Sequence, residues 1–473
     1  MVAPSRRAVN LRLSESLTAP GAQFGDVAQF HDWLARMGEH AWMEVRRAPL
    51  EALPNWERDP ATGNLRHATG KFFSVERLDV ELPGSAVPRW SQPIINQPEI
   101  GILGILVKEI DGVPHLLMQA KQEPGNPNGF QLSPTVQATR SNYTRVHQGR
   151  PVPYLEHFRD VSGPGTVVDI RQSEQGAWFY RKRNRNMVVE VDGDVEAAEG
   201  FCWLTLGQIG ELLTVPDLVN MDARTVLSCV PFVGAALRDT LRPRDAFTAA
   251  LLRSFDPDAP TAHTTGDVLS WITEVRTRTD LRVERGPLAE VPGWSHADGR
   301  ISHESGRFFH VVGVDVEAGG REVGRWSQPM IEPVGTGVIA FLVKPVDGVL
   351  HVLTHARTEP GYADTTELGP TVQCDPDNYA HLPEGARPRH LPEVLGADPS
   401  RVRFDVVLSE EGGRFFHARN RYLVVETDLE TDPADPDYRW LALHQYVELL
   451  RHSFYVNIQA RSLLLCLTSL LPR

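Results

Sequence analysis

The chain has 473 residues and a formal net charge of −13 at pH 7, which disfavours nucleic-acid binding because that needs a broad basic surface. Its four cysteines lack the Cys/His spacings that are typical of a zinc site or a disulfide framework. No apolar run approaches the ~20 residues of a membrane span, so we expect a cytoplasmic protein with no nucleic-acid or membrane partner.

The predicted elements begin after residues 1–28, which lack a strong pattern and are predicted to be a mobile tail. A helix begins near Phe30. Two apolar runs joined by Asp111-Gly112 then predict a β-hairpin. Further strands are predicted to end at Gln137 and to span 187–191. After Trp203, apolar residues spaced by three and four predict an amphipathic helix.

The same pattern returns in the second half of the chain. Phe72-Phe73 returns as Phe308-Phe309, and the pentapeptide RWSQP at 89–93 returns at 325–329, both at a spacing of 236 (308 − 72 and 325 − 89). So long a spacing indicates a duplicated domain rather than a solenoid, whose units have roughly 20–50 residues. Strands and helices are interleaved without regular βαβ order, so each half is predicted to be an α+β domain, a mixed sheet flanked by helices.

The duplication also sets the predicted domain boundaries. They are 1–28 for the tail, 29–241 for the first repeat, 242–265 for a linker rich in Pro, Asp and Ala, and 266–473 for the second repeat. His115 and His351 occupy equivalent places in the two hairpins, and we expect them to be cross-strand or surface residues rather than ligands.

Two pairs of loops are candidate binding elements. Thr139 and Asp375 follow strands and are good N-cap residues, so each loop could open a short helix that holds an anion, or form an ordinary turn. Ser173-Glu174 and Ser409-Glu410 precede basic runs that could neutralise a diphosphate, although a solvated charged turn fits equally well. Trp56 and Trp294 could stack on a base or sugar, but core packing is the favoured interpretation.

The duplicated RWSQP, PTVQ, Asn-Tyr and Arg-Asn-Arg motifs resemble those of the NDP-hexose 2,3-dehydratases of deoxysugar pathways, over nearly the whole chain. The resemblance implies two Nudix-like domains per subunit, a homodimer, and a dTDP-linked 4-keto-6-deoxyhexose as substrate. In that reaction a C-4 ketone acidifies the C-3 proton, a base removes it, and the C-2 hydroxyl leaves to give a 2-deoxy-3,4-diketo sugar.

The Glu-rich helix of a Nudix hydrolase does not follow either PTVQ strand, so we expect no metal and no redox cofactor. The alternative is a non-catalytic nucleotide-sugar sensor built on degenerate Nudix domains. The catalytic residue stays open at this stage, with Tyr143, Tyr379, Glu174, Glu410 and His417 as candidates.

The residues expected to bind substrate lie in the loops described above and in a glycine turn of the second repeat. Both repeats are expected to keep a nucleotide-shaped pocket, but Arg414 aligns with Trp178, which favours distinct roles for the two. The predicted binding residues are Trp56, Thr139, Arg140, Ser141, Asn142, Tyr143, Ser173, Trp294, Gln373, Cys374, Asp375, Asn378, Tyr379, Gly412, Gly413 and Arg414.

Overall fold

The computed structural model describes residues 6–139, 151–159, 165–232, 237, 240–319, 323–380, 382, 386–432 and 434–471. Within them it is an α+β protein, as predicted. The first-repeat helices are α1 (Arg6–Thr18), α2 (Val27–His40), α3 (Glu156–Arg159), α4 (Leu206–Leu212) and α5 (Met221–Ser228). The strands are β1 (Met43–Ala48), β2 (Trp56–Arg58), β3 (Leu65–His67), β4 (Ser74–Glu81), β5 (Arg89–Asn96), β6 (Gly101–Ile110), β7 (Val113–Gln122), β8 (Phe130–Pro134), β9 (Val136–Ala138), β10 (Thr166–Ser173), β11 (Arg183–Glu190) and β12 (Phe201–Leu204).

The second repeat has the same order of elements. Its helices are α6 (Ala246–Ser254), α7 (Thr265–Arg278), α8 (Leu391–Leu395), α9 (Leu443–Leu449) and α10 (Ile458–Ser469). Its strands are β13 (Arg282–Gly286), β14 (Trp294–Ala297), β15 (Arg300–His303), β16 (Phe309–Ala318), β17 (Arg325–Pro333), β18 (Gly337–Val346), β19 (Val349–Thr358), β20 (Thr366–Gly369), β21 (Val372–Cys374), β22 (Val402–Ser409), β23 (Arg419–Glu426) and β24 (Tyr438–Ala442). None of the helices in the described part of the chain is long and apolar enough to cross a membrane.

Each repeat contains one seven-stranded mixed sheet. In the first repeat the order is β10-β11-β6-β7-β12, with β8 paired to β7 and β9 to β6. The β11–β6 pairing is parallel and the other pairings are antiparallel. The second repeat reproduces this sheet with β22, β23, β18, β19 and their neighbours. In each of these sheets a predicted hairpin forms the central strands, β6–β7 at Asp111-Gly112 in the first repeat and β18–β19 at Asp347-Gly348 in the second.

The two smaller sheets exchange strands between the repeats. Strand β1 of the first repeat pairs with β16 of the second, with Met43 opposite Ala318. Strand β13 of the second repeat pairs with β4 of the first, with Arg282 opposite Glu81. The sequence boundaries at 29–241 and 266–473 therefore separate two repeats that are not structurally self-contained, because each five-stranded sheet needs a strand from the other repeat.

The predicted tail and linker contain packed helices, so both of these predictions are wrong. In α1, the Ser16 hydroxyl donates to Pro114 O at 2.6 Å and accepts from Leu206 N at 2.9 Å. In α6, Ser254 makes the same pair of bonds, to Leu350 O and from Leu443 N. The two segments are thus equivalent first elements of the repeats. The tail prediction failed because the buried face of α1, which includes Leu13 and Leu17, does not give a strong apolar pattern in the sequence.

His115 and His351 bind these same segments and are buried rather than on the surface. Each is a cross-strand residue, opposite Lys108 and Lys344 respectively. His115 Nδ1 is bonded to Val113 O at 2.9 Å, and its Nε2 accepts from Ala22 N at 3.0 Å. His351 makes equivalent contacts, with Val349 O and Ala262 N.

The repeats meet around two fully buried arginines, Arg224 on α5 and Arg461 on α10. The Arg461 guanidinium donates to Val456 O in its own repeat, and to Ser173 O (2.6 Å) and Thr225 Oγ1 (2.7 Å) in the other. Arg224 donates in the mirrored way to Ser409 O at 2.7 Å. Ser173 and Ser409 end β10 and β22, so each arginine fixes the end of a strand from the opposite repeat.

We predict that Arg461→Ala lowers the free energy of unfolding by roughly 3 kcal/mol or more, because it leaves several buried acceptors without a donor. Urea denaturation followed by circular dichroism measures this change. The matched control is Arg421→Ala, which removes an exposed ion pair with Asp405 and should cost less than about 1 kcal/mol. Equal losses for the two variants would contradict the central role of Arg461.

Candidate active site

Two clusters of polar side chains lie where a loop from each repeat meets a loop from the other. Gly125, after β7, donates its N–H to Gly412 O at 2.7 Å, and Gly361, after β19, donates to Gly176 O at 2.7 Å. A Cβ at Gly125 would lie 1.7 Å from Phe415 O, so the two loops are in contact there. We use the name pocket one for the cluster between Glu123 and residues 411–414, and pocket two for the equivalent cluster between Glu359 and residues 175–178.

Both pockets contain the same amide and carboxylate network. In pocket one, Gln137 Nε2 donates to Glu123 Oε1 at 2.9 Å and Asn184 Nδ2 donates to Glu174 Oε1 at 2.7 Å. In pocket two the equivalent bonds, Gln373 to Glu359 and Asn420 to Glu410, measure 2.9 and 2.6 Å. The PTVQ and Arg-Asn-Arg motifs therefore keep a shared scaffold of two anchored carboxylates in each repeat.

The pockets differ in charge. At five positions pocket one has an ionisable side chain where the equivalent position of pocket two has a neutral residue. The pairs are Lys182 and Ala418, Asp222 and Gln459, Glu411 and Gln175, Arg414 and Trp178, and Glu99 and Gly335. Pocket two instead has Tyr362 in place of Asn126, and Tyr362 accepts at its hydroxyl from Asn457 Nδ2 at 3.1 Å.

Burial and neighbouring charges shift the pKa values of several side chains in pocket one. Burial, together with Glu123 and Glu174, raises the pKa of Glu411 to about 7. Burial also raises the pKa of Glu174, and it raises that of Asp222 well above the ordinary range. Burial lowers the pKa of Lys182 to about 8, against the attraction of Glu174 and Glu99. Such shifted carboxyl and ammonium groups are typical of sites that transfer protons near neutral pH.

Arg414 is built into pocket one by residues of the first repeat. Its Nε donates to Gln97 Oε1 at 3.2 Å, and its guanidinium lies 4.3 Å from the centre of the Phe73 ring. Lys182 Nζ donates to Glu99 O at 2.5 Å, and it lies in the field of the Arg414 charge. Two cations thus stand beside the carboxylates of pocket one.

Comparison with known proteins identifies the family. The family model described as NDP-hexose 2,3-dehydratase matches residues 27–230 and 265–467, one match for each repeat. The chain belongs to this family. It is 51% identical over 445 residues to a dTDP-4-dehydro-6-deoxy-alpha-D-glucopyranose 2,3-dehydratase of Saccharopolyspora spinosa, covering 93% of this chain and 91% of the relative. Proteins of the same name from Amycolatopsis orientalis and Streptomyces violaceoruber are each 48% identical, over 92% and 94% of this chain and 89% and 98% of their own lengths.

Trp56 and Trp294, the two tryptophans predicted to bind substrate, lie in an aromatic cluster that both repeats form. The Trp56 indole N–H donates to Ser327 O at 2.7 Å, and the Trp294 N–H donates to Ser91 O at 2.9 Å. Trp56 lies 4.8 Å from the Phe73 ring, one layer behind Arg414. The serines belong to the RWSQP motifs, which explains why Trp and RWSQP recur together.

The loop after β21 is partly as predicted. The Asp375 side chain accepts from Asp377 N and caps a short 3₁₀ helix (Pro376–Tyr379), as its residue type predicted. Asn378 Oδ1 accepts from Phe308 N at 3.0 Å, so the side chain of Asn378 supports a left-handed residue of the Phe-Phe motif. Burial raises the pKa of Tyr379. The equivalent residues Arg140, Ser141, Asn142 and Tyr143 lie outside the described residues, and Thr139 is the last residue described before them.

The other predicted residues divide among the pockets, the buried core and the surface. Glu174, Gly412, Gly413 and Arg414 lie in pocket one, and Glu410 and Gln373 lie in pocket two. Cys374 is buried in the core of the second repeat, and the Ser173 hydroxyl donates to Glu367 Oε2 at 2.6 Å. His417 is exposed and stacks on Phe416 at 4.1 Å.

Three arginines of the predicted diphosphate-binding runs are paired with aspartates. Arg185 and Arg421 each bind an aspartate of the neighbouring strand, Asp169 and Asp405 respectively. Arg419 binds Asp217 of the first repeat. The interpretation as a solvated charged surface therefore fits Arg185 and Arg421 better.

Several residues of pocket one were missed by the sequence interpretation, namely Lys121, Glu123, Gln137, Lys182, Asp222 and Glu411. A usable signal was present, because aligned positions that are charged in only one repeat include Lys182, Asp222 and Glu411. Among the residues the structure describes, no group of three or more His, Cys, Asp or Glu side chains is arranged to hold a metal ion.

We predict that one lysine side chain titrates with a midpoint near 8. The chain has five lysines, so their side-chain NMR signals can be followed separately. The signal with the midpoint near 8 should disappear in Lys182→Ala, which introduces the residue found at the equivalent position 418. It should persist in the control Lys108→Ala. Titration of all five lysines at their ordinary pKa of about 10.4 would contradict the described surroundings of Lys182.

Proposed function

We propose that the protein removes water across C-2 and C-3 of dTDP-4-dehydro-6-deoxy-α-D-glucopyranose. Family membership and the names of the relatives support this substrate and reaction. The structural observation that carries the proposal is pocket one, where buried carboxyl groups of shifted pKa stand beside Lys182 and Arg414. An elimination next to a ketone needs a group that takes a proton, a group that gives one, and positive charge near the enolate oxygen.

The chemistry follows from the C-4 ketone. Removal of the C-3 proton sends the C–H electron pair towards the C-4 oxygen. When the carbonyl re-forms, a C-2=C-3 double bond forms and the C-2 hydroxyl leaves as water after taking up a proton. The resulting 3-enol gains a proton at C-2 and loses its hydroxyl proton, which gives the 2-deoxy-3,4-diketo sugar. The steps are proton transfers and one C–O bond cleavage, and they need no external oxidant or reductant, so we propose that neither a metal nor a redox cofactor takes part.

The finer architecture is also a proposal. The mixed seven-stranded sheet of each repeat and its flanking helices fit a Nudix-like domain, and the resemblance to the family favours a homodimer. The cysteines of the described residues are free and buried, which suits a cytoplasmic enzyme.

A second candidate function is binding of the nucleotide sugar without turnover. The neutral residues of pocket two favour it for that pocket, because Gln175, Ala418 and Gln459 offer no ionisable group there. Both repeats are then expected to keep a nucleotide-shaped pocket, with the chemistry confined to one of them.

The direct test is to incubate the protein with dTDP-4-dehydro-6-deoxy-α-D-glucose in D₂O and record the mass of the product. We expect loss of one water and deuterium in the product. Binding measured by calorimetry without any loss of water would favour the second candidate. No binding at all would contradict both candidates.

We expect turnover to survive exhaustive treatment with EDTA, because the proposed steps are proton transfers between side chains and substrate. Dialysis against EDTA followed by the same assay measures it. Inactivation that one divalent ion reverses would contradict the metal-independent proposal.

Arg414→Ala should weaken substrate binding by roughly 1.5–3 kcal/mol, because it removes a charge-assisted contact from pocket one. Calorimetry with the dTDP sugar measures the loss. Arg421→Ala is the control, since its ion pair with Asp405 lies on the outer strands. Unchanged binding and turnover in Arg414→Ala would remove Arg414 from the site.

A further inference from the structure

The clearest difference between the two pockets concerns one pair of side chains. In pocket two, Gln175 Nε2 donates to Glu410 Oε2 at 2.9 Å. The equivalent residues of pocket one are Glu411 and Glu174, so an amide–carboxylate hydrogen bond is replaced by two carboxyl groups. The buried oxygens Glu174 Oε2 and Glu411 Oε2 both lack a hydrogen-bond partner.

The other oxygen of each carboxyl group is held in place. Glu174 Oε1 accepts from Asn184 Nδ2 at 2.7 Å, and Glu411 Oε1 accepts from Gly413 N at 2.9 Å. Glu174 comes from the first repeat and Glu411 from the second, so the pair exists only because the repeats interlock. Buried acceptors with no donor are rare in proteins. Here two of them lie at the positions that the hydrogen-bonded pair Gln175 and Glu410 occupies in pocket two.

We propose that Glu174 and Glu411 are the catalytic pair of the dehydration, with Glu174 taking the C-3 proton and Glu411 giving a proton to the leaving C-2 hydroxyl. This inference rests on the proposed function and adds the identity of the acid, the base and the working pocket. In the gluco configuration the C-3 hydrogen and the C-2 hydroxyl lie on the same face of the ring, so one pair of adjacent carboxyl groups reaches both.

The proton count closes within the pair. Before reaction one proton is on Glu411 and Glu174 is ionised, because Asn184, Lys182 and Arg461 favour its carboxylate form. Glu174 gains the C-3 proton as the C–H bond breaks, and Glu411 gives its proton to the departing hydroxyl, which leaves as water. The pair again holds one proton, now on Glu174, and its return to Glu411 restores the starting state.

The surroundings favour a single shared proton. Burial raises the pKa of both carboxyl groups, to about 7 for Glu411, and the charges of Glu123 and Glu174 add to the shift of Glu411. The groups that face the pair are Glu123 after β7, Asp222 on α5, Lys182 before β11, Glu410 after β22, Arg414 and Arg461. The cations among them keep one member of the pair ionised, so activity should fall both when the pair gains a second proton and when it loses its last one.

The test uses Glu411→Gln and Glu174→Gln in the full chain. Glu411→Gln copies Gln175 and restores the amide–carboxylate bond of pocket two, so its unfolding midpoint should be equal to or above that of the parent. We expect a loss of turnover of about 10²–10⁴-fold in both variants. Deuterium exchange at C-3 of the substrate should be lost in Glu174→Gln and kept in Glu411→Gln, because only the former lacks the base.

Controls separate this inference from the proposed function. Glu430→Gln changes an exposed glutamate that is paired with Lys344, and should behave as the parent does. If the parent itself releases no water, the proposed function fails. If the parent releases water and a folded Glu411→Gln keeps turnover within threefold of it, the catalytic pair is overturned. Exchange that survives in Glu174→Gln and disappears in Glu411→Gln would overturn the assignment of the base.

Discussion

The contact between the two repeats is the constraint on which the rest of the structure depends. Gly125 and Gly361 touch the backbone of the opposite repeat with no space for a side chain, and strands β1 and β13 cross into the opposite small sheet. Arg224 and Arg461 then fix the strand ends from which the pocket loops depart. Because of this interlock, neither repeat forms a complete pocket by itself.

Duplication followed by divergence explains how one fold holds two different sites. The scaffold bonds, such as Gln137 to Glu123 and its equivalent in the second repeat, are the same in both pockets. After divergence, pocket one has a carboxylate at Glu411 and a cation at Lys182, whereas pocket two has Gln175 and Ala418 at the equivalent positions. Buried charges are costly unless they have a role. Pocket two also has buried carboxyl groups, such as Glu359 and Glu367, so the distinction of pocket one is its particular set of charges, with Glu411 beside Glu174 and with Lys182.

The sequence was enough to predict the duplication, the α+β class, the central hairpins and the 3₁₀ cap at Asp375, because these depend on local patterns. It could not predict the strand exchange, since β1 and β13 pair with partners more than 190 residues away along the chain. Core packing of Trp56 and Trp294 was the favoured interpretation and is observed, but the sequence did not show that their indole N–H groups bind backbone carbonyls of the other repeat. Glu174 was a catalytic candidate from the sequence but Glu411 was not, because the two side chains come together only when the repeats interlock.

The most direct test of the account is a crystal structure with a dTDP-linked 4-keto-6-deoxyhexose that lacks the C-2 hydroxyl and so cannot undergo the elimination. The account predicts that its hexose ring occupies pocket one, with C-2 and C-3 facing Glu174 and Glu411 and the ring bounded by both repeats. A hexose bound only in pocket two, or one whose C-3 lies away from both carboxyl groups, would contradict it.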